Sequence, residues 1–193
     1  MKRLPRPYRQ AQRREQQEQT RRRIVEAVVA LHEEVGPART TVKGIAERAG
    51  VERLTVYRHF PDEAALLDGC SAHWRAGHPP PDPAGWAALT DPRVRAERVL
   101  TGLYAWYAAN AVMLASIHRD LPAMAELRRV SQPLFDYLDG AARQLGDGRG
   151  DRAAVCRTVT GFAFWQALKS GGATTRRAQV RLALAWLEAV GAL

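Results

Sequence analysis

From Thr20 onward the chain sets apolar side chains at helical spacing. Ile24, Val28, Leu31 and Val35 fall on one face, and Gly36-Pro37 ends the run. A short helix follows, with Thr41 as N-cap, Val42, Ile45, Ala46 and Ala49 as its apolar face, and Gly50 as its stop. Another short helix is predicted over about Arg53 to His59, and Pro61 suits the first turn of a fourth, on which Leu66, Cys70 and Trp74 align. His78-Pro79-Pro80-Pro81-Asp82-Pro83 then interrupts the pattern, because consecutive prolines lack amide donors and hold the chain extended. Beyond it the period of about 3.6 returns over 92–109, 111–118, 122–145, 151–170 and 174–190, and nothing reads as a strand. Pro133 predicts a kink or break near Ser131. The last two segments carry apolar residues on more than one face, which calls for two packing partners, one of them a candidate second subunit.

Composition adds little until the charge is located. Apolar residues make up 46% of 193 and no run approaches the ~20 needed to span a bilayer, so a soluble protein is expected. Of the net charge of +9, most lies in residues 1–23, where nine basic side chains face Glu15 and Glu18. Residues 1–19 combine Pro5 and Pro7 with Gln, Arg and Glu and cannot bury apolar surface alone, so a flexible basic arm attracted to polyanions is expected there. No apolar stretch follows the basic start as a secretory signal requires, and Cys70 and Cys156 form no disulfide pattern; both point to the cytoplasm.

Two short helices joined through Ala49-Gly50-Val51 have the form of a helix-turn-helix, in which Gly permits the turn and Val51 packs between the helices. Thr40-Thr41-Val42, Ile45-Ala46, Ala49-Gly50-Val51, Thr55-Val56-Tyr57-Arg58-His59-Phe60 and Leu66 together resemble the signature of the TetR/AcrR family of transcriptional regulators. The resemblance implies an all-α fold of about nine helices. An N-terminal three-helix helix-turn-helix DNA-binding domain, with a fourth helix in the same unit, would occupy 20–78. A larger helical effector-binding and dimerisation domain would occupy 84–193. It further implies a homodimeric repressor that binds a palindromic double-stranded operator and needs no cofactor.

Within that reading Arg53 and Leu54 open the recognition helix as base readers, because arginine pairs bidentately with guanine and leucine meets a thymine methyl. Tyr57 and His59 resemble the family's phosphate-contacting pair, and Thr41 offers a hydroxyl and free amides to a phosphate. Thr40, Lys43, Thr55 and Arg58, with Arg3, Arg6 and Arg9 of the arm, complete the expected DNA-contacting set. Val56 and Phe60 read as core. Glu52 either accepts from a cytosine amino group or caps the helix. Glu63 stands where the family commonly has a phosphate-contacting lysine. Gly44, in place of a frequent acidic residue, is expected to weaken the second helix. Residues 24–60 are formally neutral, which leaves the arm to supply long-range attraction to DNA, along phosphates or in a minor groove.

For a small, largely apolar effector the candidate walls are Trp86, Tyr104, Tyr107, Met113, His118, Met124, Phe135, Phe162 and Trp165, with His118, Arg119 and Asp120 as polar groups at the mouth. At helical spacing the same residues suit an ordinary core. Dimerisation is expected through Val155, Val159, Phe162, Val180, Leu184 and Leu187. Effector binding would act by shifting the helix at 62–77. A regulator of this fold without a small-molecule effector fits the residues as well. Cys70, His73 and His78 do not make a metal site, since Cys70 and His73 are only an i, i+3 pair without a second ligand cluster. No Gly-rich phosphate loop, nucleophile elbow or HExxH motif argues for an enzyme, and the arm lacks the apolar face that a membrane-surface helix needs.

Overall fold

A computed structural model describes residues 6–146 and 149–193, with the side chains of Arg6, Pro7 and Arg9 outside the description. All regular structure among the described residues is helical. The α-helices are α1 (Arg6–Glu34), α2 (Val42–Ala49), α3 (Arg53–His59), α4 (Glu63–Gly77), α5 (Pro92–Ala109), α6 (Ala111–Asp120), α7 (Ala125–Leu145), α8 (Asp151–Thr160), α9 (Phe162–Ser170) and α10 (Arg176–Ala189). Short 3-10 turns span Pro37–Arg39 and Pro83–Gly85.

Among the described residues there are ten helices rather than about nine, because the segment 151–170 divides at Gly161, which is extended (φ −78°, ψ 145°). Thr160 turns its hydroxyl back to the carbonyls of Cys156 and Arg157 at that end. A glycine has the least to lose by leaving the helix there. Pro133, by contrast, does not break α7. One carbonyl of the turn before it, Val130, accepts from Arg75 Nη1 at 3.0 Å. Pro61 precedes α4 rather than opening it, and Asp62 caps that helix by accepting from the Ala65 amide at 2.8 Å.

The largest departure concerns the start of the chain. Where a flexible arm is expected through residue 19, α1 is one helix from Arg6. The stretch is almost entirely Arg, Gln and Glu, all good helix formers, and Pro7 falls in the first turn where its missing amide costs nothing. Residues 10–19 are exposed, so propensity and continuity with the packed half of α1 carry the extension.

The chain divides into two compact units. One comprises residues through Gly77 together with Arg119–Val130; the other comprises His78–His118 and Ser131–Leu193. The sequence pattern suggests contiguous domains and does not anticipate that 119–130 joins the first unit. In that unit α1 packs on α2 and α4 around Ile24, Val28, Ile45, Val56, Phe60 and Leu67. In the other, α5 packs on α10, α8 and α9 around Leu100, Leu103, Tyr104, Tyr107, Val159 and Leu187.

Candidate nucleic-acid interface

The geometry of 41–60 follows from a few local bonds. Thr41 is extended (φ −115°, ψ 150°) and its hydroxyl oxygen accepts from the Gly44 amide at 3.1 Å, which starts α2. Gly50 ends α2 in the left-handed region (φ 63°, ψ 45°), a conformation that penalises any side chain. The Val51 amide closes the turn on Ala46 O at 3.0 Å, and the Glu52 carbonyl receives the Thr55 amide at 2.8 Å to begin α3. Ile45, Ala46, Ala49 and Val56 bury the seam, and Val56 and Phe60 are core as expected.

What α3 leaves outside is chemically mixed. Arg53 is exposed, Leu54 is 71% exposed and Tyr57 51% exposed. An apolar side chain as open as Leu54 gains nothing in the free protein and suits a surface that is later covered. Arg58 is exposed and donates from Nη2 to Thr55 Oγ1 at 2.9 Å. Among the described residues the Glu52 side chain makes no capping bond, so of its two expected roles capping is not adopted. Gly44 does not prevent α2 from forming; Thr41 takes its amide, and a methyl added there would meet Thr41 Oγ1 at 3.4 Å.

Other expected contacts are partly committed. The Thr40 hydroxyl donates to Gly36 O at 2.9 Å and its amide to Pro37 O at 3.1 Å, so its donors close the 3-10 turn. Lys43 sits 3.8 Å from Glu47, with both side chains mostly exposed. His59 is half-buried, and burial, reinforced by Arg21 and Arg58, holds its imidazole below the usual histidine range. It is therefore neutral near pH 7 and offers an N–H rather than a charge. Arg3 lies outside the described residues; of Arg6 and Arg9 only the helical backbone is described.

Two supports were not legible in the sequence. Arg21 donates to His59 O at 3.0 Å and lies 4.2 Å over the Phe60 ring, so a residue 38 positions upstream ties down the C-terminal end of α3. Arg48 clamps Glu34 at 2.5 and 2.6 Å, joining α2 to the end of α1. No local signal marks either pair.

Arg119 and Asp120 are expected at the mouth of an effector pocket, but belong instead to the unit that holds the helix-turn-helix. Asp120 Oδ2 accepts the Ala38 amide at 3.0 Å, its Oδ1 accepts Arg119 Nε at 2.8 Å, and Arg119 Nη2 reaches Val35 O at 3.2 Å. Gly36 (φ 90°) makes room for them: a methyl there would stand 1.8 Å from Arg119 Nη2. Burial also pushes the nearby His32 imidazole down to about 4, against the pull of Asp120. Met124, another expected effector contact, likewise lies in this unit, lining a cleft with His32 and Tyr57.

In the second unit Trp86, Tyr104, Tyr107, Met113, Phe162 and Trp165 are buried and Phe135 is half-buried. Tyr107 is the hub of an aromatic cluster, meeting Phe162 edge-on at 5.5 Å and Trp165 at 5.9 Å, while His118 meets Phe162 at 5.7 Å. The Tyr104 hydroxyl donates to Val159 O at 2.8 Å and that of Tyr107 to Thr160 O, so both serve carbonyls at the break between α8 and α9. Trp165 Nε1 donates to Gln179 Oε1 at 3.0 Å. The rings are thus packed against one another and tied to the chain by their polar tips. Cys70, in the first unit, is buried too, and desolvation pushes its thiol up to about 11.

The residues expected at a dimer contact are mostly covered in the single chain. Val159, Phe162, Val180, Leu184 and Leu187 are buried within their own chain, and Val155 is half-buried, so these positions have little surface to offer a partner. The other face of α10 carries Leu182 and Trp186, 44% and 40% exposed, with the Trp186 ring tilted against Phe164 of α9 at 5.3 Å. The two-faced apolar pattern of α8 to α10 is present, with Leu182 and Trp186 on the exposed side of α10.

Residues 24–70 match the profile of the bacterial regulatory proteins of the tetR family. The chain is 43% identical over 53 residues to the HTH-type transcriptional regulator TtgR of Pseudomonas putida and equally to the probable regulator ArpR of that species. That segment is 28% of this chain and only 25% of each relative. Among solved structures, a linker-substituted mutant of HlyIIR superposes with a TM-score of 0.63 at 16% identity, covering 88% of this chain and 95% of that one. A putative TetR-family regulator from Syntrophomonas wolfei gives 0.61 at 16% identity, over 91% and 97%. The regulator FadR of Bacillus subtilis, in complex with stearoyl-CoA, gives 0.54 at 15%, over 86% and 95%. The helix-turn-helix at 41–60 therefore lies in a segment similar to the tetR family of bacterial regulatory proteins, and the helical architecture described around it shares the fold of these solved structures.

Proposed function

We propose that this protein is a DNA-binding transcriptional regulator that represses from a palindromic operator as a homodimer and is released by a small, largely apolar effector. The observation that carries the reading is α3: Arg53, Leu54, Tyr57 and Arg58 stand exposed on a short helix whose Val56 and Phe60 are locked into the unit beneath. Such a helix can enter a major groove while α2 and the Thr41 N-terminus meet the backbone. Arg53 and Leu54 are assigned base reading; Thr41, Lys43, Thr55, Tyr57 and His59 are assigned positioning, Thr41 through the hydroxyl proton its capping bond leaves over. Glu52 faces the same groove as an acceptor. Arg3, Arg6 and Arg9 add attraction at a distance.

Dimerisation is assigned to the exposed side of α9 and α10, around Leu182, Trp186 and Phe164, on the ground that this apolar area is otherwise left to water. The FadR complex supports a small-molecule effector for a chain of this fold. An effector can release DNA only by preferring a form whose two recognition helices no longer match grooves about 34–36 Å apart. Among the described residues no single helix is long and apolar enough to cross a membrane, and the cytoplasm is the compartment that DNA binding requires. Footprinting on the DNA beside its own gene at several salt concentrations tests the proposal. A protected palindrome is expected; salt-sensitive binding to every duplex without a protected site would refute it.

A further inference from the structure

The continuation of α1 back to Arg6 creates a feature that no local pattern announces. Arg14, Gln17, Glu18 and Arg21 lie at i, i+3, i+4 and i+7 on one face of α1, the spacing at which a helix normally presents an apolar stripe. Here that face is polar, and with Arg58 and His59 of α3 it encloses an open cleft of about 660 Å³. Three guanidinium groups stand against one carboxylate, Glu18. Arg21 is held in place by His59 O and the Phe60 ring, so the floor of the cleft is organised before any ligand arrives. Gln17 and the neutral His59 add donors without charge. A cluster of planar, multiply donating cations with neutral donors beside it matches a tetrahedral oxyanion.

We propose that this cleft is a phosphate-binding site for the duplex backbone, placed at the C-terminal end of the recognition helix and built from the N-terminal extension of α1. The proposal rests on the DNA-binding reading above and names a contact that the helix-turn-helix alone does not contain. The duplex is favoured over a free phosphate because Arg14, Gln17 and Glu18 are all exposed. So open a cleft holds an anion only when other contacts deliver it. Glu18 is the cost of the arrangement, since it faces the same anion, and this makes the proposal testable in both directions.

The experiment measures operator and scrambled-duplex affinity against salt for the full chain and for Arg14→Ala and Glu18→Gln. Both substitutions lie on an exposed helical surface and put a good helix former in place, and circular dichroism verifies the fold. Arg14→Ala is expected to weaken both duplexes about equally, and to flatten the slope of log affinity on log salt by roughly 0.9, the value of one phosphate contact. Glu18→Gln is expected to strengthen both several-fold. Wild-type slopes in both variants overturn the proposal while leaving operator binding intact, whereas a wild-type chain that binds no duplex defeats the DNA-binding reading itself. Titration with inorganic phosphate, followed by 31P line broadening, is expected to saturate only far above millimolar. Tight, Arg14-dependent saturation would reassign the cleft to a free anion and overturn the duplex assignment.

Discussion

Asp120 is the acid on which the packing of 119–130 against the end of α1 turns, and its removal can be valued from the structure. Its side chain is 8% exposed, accepting the Ala38 amide at 3.0 Å and Arg119 Nε at 2.8 Å. The ion pair itself adds little, because Arg119 is 51% exposed and water screens it. The charged hydrogen bond to Ala38 is worth more, about 1.5–3 kcal/mol, and Ala38 is exposed enough for water to replace part of it. Asp120→Ala is therefore expected to destabilise the fold by about 1.5–2 kcal/mol at pH 7, or several degrees in Tm. The Arg119 guanidinium, then the Ala38 amide, hold the Asp120 carboxyl below its ordinary value, against the opposing effect of burial. A depressed folded-state value means the stabilisation is present above the unfolded pKa near ~4 and is lost as pH falls through the folded value. Urea titrations of wild type and Asp120→Ala at pH 7 and pH 3 check this. The gap between midpoints is expected to shrink at the lower pH with unchanged slopes. Equal midpoints at pH 7, or a gap as wide at pH 3, would refute the reasoning.

Three further outcomes are expected. Gly36→Ala combines a left-handed backbone with a methyl 1.8 Å from Arg119 Nη2, and is expected to cost at least about 2 kcal/mol in thermal or urea melts; coupled to Asp120→Ala, the two effects should be less than additive. Arg53→Ala is expected to lose about 1–3 kcal/mol on the operator and little on scrambled duplex, read by competition binding. Trp186→Glu places a charge in the exposed patch on α10 and is expected to yield a monomer in sedimentation, with operator affinity falling as half-site coupling is lost; an undisturbed dimer would move the interface elsewhere.

How much of this was legible beforehand depends on how far apart the interacting residues lie. The reader helices α2 and α3 were readable to the residue because their limits are local: Thr41 caps within three positions and Gly50 turns within one. Helix propensity at 6–19 is equally local, but the stretch buries nothing by itself, and only the packed half of α1 supplies the nucleus from which it extends. Which face of α10 packs inward was not legible for a similar reason. Trp186, Leu182, Leu184 and Leu187 are all apolar, so composition cannot say which face meets the rest of the chain.

The order of the helices, the helix-turn-helix and the likeness to one regulator family are properties of the sequence alone, since periodicity, capping and turn residues act within about one helical turn. Tertiary structure alone decided the rest. Arg21 under the end of α3, Arg14 with Arg58, and Asp120 against Ala38 join residues 38, 44 and 82 positions apart. A charged side chain has no periodicity to announce its partner; only the packing that carries both helices to one place makes the pair.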